Sequence, residues 1–190
     1  MISYSVMASE ERKEFFPYLK KELWNVPFLI DKPRGHKKNI GIWENCKRSW
    51  RANKGKKYHC VIQDDAILTK DFKNKVSEFI SKIDKEKGEF AYQLFYMGKH
   101  EIPECNYIIK DEMMFGVAIV LPTRLIDEMI KFGDKLPVKE DDAKISLFLN
   151  FIKMKTVYPI PCLVNHRTQD EAPTLTGIRA NNRVSNVFKQ

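Results

Sequence analysis

Two adjacent carboxylates, Asp64 and Asp65, end the β-type run Tyr58-His59-Cys60-Val61-Ile62-Gln63, and a second apolar run, Ala66-Ile67-Leu68, follows at once. A carboxylate inside a core is costly unless a cation or hydrogen-bond donors satisfy it, and each of two neighbours disfavours ionisation of the other. A pair at the end of a buried strand therefore sits at a sheet edge or holds a cation. In open α/β sheets the carboxyl ends of the strands are where ligands bind. The pattern points to a divalent metal held by Asp64 and Asp65 that clamps a diphosphate. The competing reading is a surface turn with two solvated aspartates.

The elements that must position this pair read as alternating strands and helices. Ile2-Ser3-Tyr4-Ser5-Val6-Met7 is a strand. Ser9 with Glu10 and Glu11 starts a helix, because a serine cap and first-turn acids complement free N–H groups. Phe15, Phe16, Leu19 and Leu23 share one face of it, and Pro17 interrupts it. Val26-Pro27-Phe28-Leu29-Ile30 is a second strand ended by Asp31, which is placed to bind a ribose or a base. Strand, helix and strand at these lengths make a βαβ unit with parallel strands.

Residues 42–53 form a helix with Trp43, Cys46 and Trp50 on one face, and its Arg48 and Arg51 are candidates for phosphate contacts. Asp71 caps the next helix, residues 90–97 form a strand, and residues 107–109 a short strand or loop. The run 115–121 is a buried strand ended by Pro122, in which Gly116 marks a close backbone approach. Thr123 caps a further helix. Asp141 and Asp142 precede an apolar helix over 145–152, and residues 157–164 form a Pro-punctuated edge strand. A polar tail from about residue 165 contains His166. The fold class is α/β, one domain over 1–190, with a mostly parallel sheet flanked by helices.

Totals bound the function. The 190 residues suit one domain. With 43% hydrophobic and 31% charged residues, the chain is globular rather than disordered. No apolar run approaches the roughly 20 residues that span a bilayer, and the N-terminus does not read as a signal peptide. Cys46, Cys60, Cys105 and Cys162 lack CxxC spacing, as expected of reduced thiols in an intracellular protein. The net charge of +8 is concentrated: residues 32–57 hold ten Lys/Arg against Glu44 alone. Such a stripe suits a polyanion, either nucleotide phosphates or a nucleic-acid backbone; the competing reading is a solvated basic surface.

Six blocks in order resemble a family of small glycosyltransferase-like proteins of bacteriophage genomes, with the GT-A, Rossmann-like nucleotide-sugar-binding fold. They are Ser3-Tyr4-Ser5-Val6-Met7-Ala8; Asp31; Trp43 with Arg48 and Ala52; His59-Cys60-Val61-Ile62-Gln63-Asp64-Asp65-Ala66; Phe115-Gly116-Val117-Ala118-Ile119-Val120-Leu121-Pro122 with Asp142; and Tyr158-Pro159-Ile160-Pro161-Cys162-Leu163-Val164-Asn165-His166-Arg167. Two segments depart from the family pattern. Gly41-Ile42-Trp43-Glu44-Asn45 lacks its Thr-Gly, and Pro173-Thr174-Leu175-Thr176-Gly177 replaces a Pro-Ser-Leu-type sequence.

The resemblance implies a hexosyltransferase-type enzyme using a nucleoside-diphosphate sugar, UDP-linked, with Mn²⁺ or Mg²⁺. Asp65 would bind the metal, Asp64 the metal or the ribose, and His166 would be a third ligand. Hard cations prefer oxygen ligands. Ser5, Met7 and Asp31 would line the nucleoside pocket and Arg48 would sit near the phosphates. Arg167, Arg179 and Arg183 would close over the diphosphate. Asp142 or Asp141 would be the base that an inverting transferase needs. Phage kinship and the basic stripe favour a hydroxymethylpyrimidine in DNA as acceptor, in the host cytoplasm; a protein or cell-surface glycan is the alternative. Two other classes compete: a catalytically silent nucleic-acid-binding protein on the same fold, and a metal-dependent nuclease.

Overall fold

A computed structural model describes residues 2–97, 106–113, 115–168, 171–172 and 184–189. Cys105, Arg179, Arg183 and the segment 173–177 lie outside the described residues. The strands β1 (Ile2–Ser9), β2 (Phe28–Asp31), β3 (Tyr58–Gln63), β5 (Ala91–Gln93), β6 (Tyr107–Lys110), β7 (Ala118–Pro122) and β8 (Thr156–Pro159) form one sheet in the order β2-β1-β3-β7-β5-β8-β6. The β2-β1-β3 part is parallel, as the βαβ reading requires. β7 runs antiparallel to both β3 and β5, β8 is parallel to β5, and β6 closes the edge antiparallel to β8. A small second sheet pairs β4 (Ala66–Leu68) with β9 (Val164–His166).

Period-two alternation sorts the side chains into two cores. Tyr58, Cys60, Ile62, Ala118 and Val120 face one side, with α1 (Phe16–Glu22) and α3 (Phe72–Lys87) packed on it through Leu19, Leu23, Val76, Ile80 and Ile83. Val61, Ile119 and Leu121 face the other. There α2 (Ile42–Arg51), α4 (Ile126–Gly133) and α5 (Asp141–Phe151) contribute Cys46, Trp50, Ile126, Met129, Ile145 and Phe148. The sheet is thus buried on both faces, which is why β3 reads as a nearly continuous apolar run. Cys46, Cys60 and Cys162 are free and buried. Among the described residues no helix is long and apolar enough to cross a membrane.

Several local expectations are corrected. Pro17 lies in the first turn of α1 rather than interrupting it, after a 3-10 segment over Glu10–Phe15 that Ser9 caps through the Glu11 N–H; a first-turn proline forfeits no helix hydrogen bond. Asp71 precedes α3 in a left-handed conformation and its carboxylate accepts from Asn74 instead of capping. The hydroxyl of Thr123 donates to the Lys56 and Lys57 carbonyls, so it anchors the end of β7 and caps nothing. The expected strand over 90–97 shortens to β5. The expected edge strand over 157–164 is two strands in different sheets, β8 and β9, and β6 is the edge beyond β8.

Candidate functional site

β1, β2 and β3 are in register, Met7 opposite Gln63 and Ser9 opposite Asp31, so their carboxyl ends finish together. Asp64 and Asp65 leave β3 at this rim. β9 pairs Ala66 with His166, and the Arg167 N–H donates to the Asp65 carbonyl at 3.1 Å, which sets His166 beside Asp65. Arg167 is held in turn by its guanidinium over the rings of Phe15 and Tyr18. β7 begins on the same side, and the Gln63 N–H donates to the Val117 carbonyl at 2.8 Å. A Cβ on Gly116 would lie 3.2 Å from the Cβ of Asp142 and 3.1 Å from the Gln63 amide nitrogen. Gly116 therefore marks the close approach of the start of α5 to the sheet. Beside it Phe115 holds φ 67°, a strained conformation for a bulky residue.

These ends enclose a cleft of about 510 Å³. It gathers Met7, Asp31, Asp64, Asp65, Asp141, Asp142 and His166 from seven positions spread over 160 residues of sequence. Ser5 and Arg48 are not among its lining residues. The aspartate pair is not a solvated turn: Asp64 is 3% and Asp65 1% exposed. The cation between them is Arg12, whose Nη1 lies 3.0 Å from Asp64 Oδ1 and 2.5 Å from Asp65 Oδ2. Asp64 Oδ2 also accepts from the Ser9 N–H at 2.7 Å, and His166 Nε2 lies 3.2 Å from Asp65 Oδ2. Burial and the charge of Asp65 push the Asp64 carboxyl up to about 6, against the opposing pull of Arg12 and the Ser9 N–H. Burial opposes the charge of Arg12, but the two carboxylates outweigh it and raise its pKa.

Asp141 and Asp142 occupy the first turn of α5, where the helix dipole favours acids. Asp142 is partly exposed, and its Oδ1 accepts from the Ala143 N–H. Asp141 is buried, and its carboxyl is pushed up to about 7 by burial first and then by Asp142, although the Cys46 thiol donates to it. Asp31 lines the cleft, but its carboxylate is taken by the following loop: Oδ1 accepts from the Lys32 and Ile40 N–H groups and Oδ2 from the Asn39 amide. It shapes the loop that carries Arg34 to the cleft.

Ser5 lies fully buried between β1, β3 and α2. Its hydroxyl donates to the Ser49 carbonyl and meets His59 Nε2 at 3.0 Å. The Ser49 carbonyl, 2.9 Å from Nε2, fixes the His59 tautomer with its proton there, leaving Nδ1 to accept from Ser3 at 2.8 Å. Burial pushes His59 down to about 4. Above pH 6.5 it is neutral folded and unfolded. Between 6.5 and about 4 the unfolded chain takes up a proton that the native chain refuses, so this group removes stability as pH falls. Asp64 and Asp141 act in the opposite sense over the window from 3.8 to about 6 or 7, so the informative quantity is a difference. The stability lost between pH 7 and 5, from urea midpoints, is expected to be larger for the wild type than for His59→Gln by about 1–2 kcal/mol.

The basic stripe does not line the cleft. Of its ten cations only Arg34 does. Lys32, Lys47 and Lys57 pair with Glu10, with Glu44 and Asp134, and with Asp84 respectively, while Arg48 and Arg51 are exposed along α2. The cleft is acidic in a basic protein. Glu11, Asp31, Asp64, Asp65, Glu140, Asp141 and Asp142 line it against Arg12, Arg34 and Lys139.

A divalent metal fits this chemistry in three respects. The oxygen and imidazole donors of Asp64, Asp65 and His166 converge. Asp65 Oδ1 is buried with no hydrogen-bond partner among the described residues. Arg12 already stands between the carboxylates as a cation. Among the described residues no group of three or more His, Cys, Asp or Glu is arranged to hold a metal. Arg12, Gln63 and Asn45, whose Nδ2 donates to the Ala8 carbonyl, line the cleft without having been singled out from sequence.

No protein-family model matches the chain, and no curated protein matches it in sequence. Among solved structures it is similar to A197 from STIV, with TM-score 0.54 and 13% identity over 100% of this chain and 99% of that one. This is a likeness of fold. A candidate glucose-1-phosphate thymidylyltransferase from Bacillus anthracis aligns over 96% of this chain and 98% of that one at TM-score 0.48 and 11% identity. HddC from Yersinia pseudotuberculosis aligns over 83% and 68% at TM-score 0.40 and 11% identity. Neither of these two alignments reaches a level that carries an argument.

Proposed function

We propose that the chain is a metal-dependent glycosyltransferase that uses a nucleoside-diphosphate sugar, UDP-linked. The observation that carries the reading is the acidic cleft at the carboxyl ends of parallel strands, with a buried carboxylate pair at its floor. A diphosphate entering the cleft meets seven acidic side chains against Arg12, Arg34 and Lys139, so an accompanying cation would favour its binding. Asp65, Asp64 and His166 would hold a divalent ion, which supplies charge neutralisation at the departing diphosphate. Met7 and the loop organised by Asp31 would take the nucleoside. Arg34 and Lys139, at the cleft wall, would meet the phosphates in the role first expected of Arg48. Asp142, the accessible acid of the α5 turn, would take the proton of the acceptor hydroxyl, and buried Asp141 would support it.

The acceptor is proposed from the surface rather than the cleft. Exposed Arg48 and Arg51, with the basic loops on either side of α2, suit a nucleic-acid backbone, and a hydroxymethylpyrimidine in DNA is the acceptor they favour. Such a base must be reached in the groove or flipped out. Binding would then weaken steeply with salt as counterions are released; salt-insensitive transfer to a protein or surface glycan would assign the other acceptor.

Release of free nucleotide from a panel of sugar nucleotides, with Mn²⁺ or with EDTA, tests the reading without knowledge of the acceptor. Metal-dependent release from one sugar donor is the expected result. Silence across the panel, with DNA binding unchanged by Asp65→Ala, would instead assign a non-catalytic nucleic-acid-binding protein.

A further inference from the structure

Arg12 bridges the aspartate pair and lines the cleft with it. Its Nη1 bridges Asp64 and Asp65, and the residue is 8% exposed. Asp65 lines the cleft beside it and is 1% exposed. The bridge is also an incomplete solution for the carboxylates. Asp65 Oδ1 has no partner among the described residues, and an ionised oxygen buried without a donor is a standing cost. The backbone at Arg12 departs from helical geometry, with φ −118° and ψ 25° within its 3-10 segment.

Resting on the transferase reading above, we propose that Arg12 is an exchangeable cation. A divalent ion displaces its guanidinium from Asp64 and Asp65, and the freed guanidinium turns to the diphosphate of the sugar donor. A divalent ion on Asp64 Oδ1 and Asp65 Oδ2 competes with Nη1 for the same lone pairs and repels the guanidinium, so its entry favours the arginine's departure. Once released, it lies in a cleft whose other cations among the described residues are Arg34 and Lys139, and an incoming diphosphate is an anion it can pair with. A planar guanidinium matches phosphate oxygens in geometry as well as charge. Metal and diphosphate then help each other to bind: the metal takes the carboxylates from Arg12, and the diphosphate takes Arg12 from the carboxylates. By linkage the two effects are equal.

The test is Mn²⁺ binding, read by the electron paramagnetic resonance of free Mn²⁺, for wild type, Arg12→Met and Arg12→Lys, with and without UDP. Arg12→Met keeps an apolar stem of similar length and removes the competing charge. It is expected to bind Mn²⁺ alone at least tenfold more tightly than wild type. UDP is expected to tighten Mn²⁺ binding in both proteins, because the ion also meets the diphosphate, but by at least tenfold more in wild type than in Arg12→Met, with Arg12→Lys between the two. Should Arg12→Met fail to fold in EDTA, recovery of its fold on adding Mn²⁺ reports the same competition. Failure to recover, with Arg12→Lys at wild-type affinity, overturns the proposal. Equal Mn²⁺ affinity in wild type and Arg12→Met would make Arg12 a fixed ion pair and leave the metal reading standing. Absence of Mn²⁺ binding in all three proteins, with and without UDP, would overturn both.

Discussion

Asp65→Asn is expected to lower Mn²⁺-dependent release of nucleotide from the sugar donor by about 100–1000-fold, the range seen when one preorganised electrostatic contact to a developing charge is removed. The substitution keeps the shape of the side chain and a hydrogen-bonding group for His166, which lies 3.2 Å from Asp65 Oδ2. It removes one of the two negative charges that offset Arg12. Affinity for Mn²⁺ should fall together with turnover, since the lost group is a proposed ligand. Asp64→Asn should cost less, because Asp64 Oδ2 is already satisfied by the Ser9 N–H and only its Oδ1 faces the arginine. Circular dichroism of each variant separates loss of the site from loss of the fold. Wild-type release by Asp65→Asn would remove Asp65 from the mechanism.

The second large effect belongs to the α5 turn, where two adjacent acids should separate on substitution. Asp142 is the exposed member and packs over Gly116; Asp141 is buried against the Cys46 thiol. Asp142→Asn is expected to lower transfer to the acceptor by about 10²–10⁴-fold, the contribution of a positioned base. It should leave acceptor-free release of nucleotide within a few fold, because water needs no such placement. Asp141→Asn should act mainly on stability. The folded carboxyl titrates near 7 against 3.8 unfolded, so the native state favours the protonated form. Its cost therefore grows as pH rises from 3.8 to about 7 and is complete above that. Asp141→Asn is expected to be more stable than wild type at pH 8, by roughly 1–4 kcal/mol, and little different at pH 4. A gain in stability at a cleft residue is the usual sign of a group kept for function. Equal loss of transfer and release in Asp142→Asn would argue against its role as base.

The parts of the site that could be read from the chain are those where charge breaks an apolar pattern. Asp64 and Asp65 end a buried run, Gly116 stands inside one, and Asp141 and Asp142 precede an apolar helix. Each anomaly is local, and each falls at the cleft. The β1-α1-β2 unit was legible for the same reason, since both strands and their connector carry their own periodicity. Arg12 was not legible. It sits in Glu10-Glu11-Arg12-Lys13-Glu14, a charged run that reads as a solvated first turn, and only the tertiary fold aims one of these five side chains inward.

Ser5 and Arg48 show the reverse failure. Ser5 faces the α2 side of β1 and is consumed by the His59 network. Arg48 is exposed along α2, away from the strand ends. The return of residues 157–164 as two strands in separate sheets depends on where β9 finds its partner β4, which no local pattern encodes. Gly133 was also silent: a Cβ there would lie 2.4 Å from the Trp43 ring, so the glycine is required by a neighbour 90 residues away.

On the proposed reading the acidic cleft accepts a nucleoside diphosphate only in company with a divalent cation. Calorimetric titration of UDP into the wild-type protein, once in EDTA and once in saturating Mn²⁺, tests it most directly. No measurable heat of binding is expected in EDTA, and a saturable site with one UDP per chain is expected in Mn²⁺. UDP binding of equal affinity in EDTA and in Mn²⁺ would contradict it, and would mean that Arg12, Arg34 and Lys139 suffice for the phosphates.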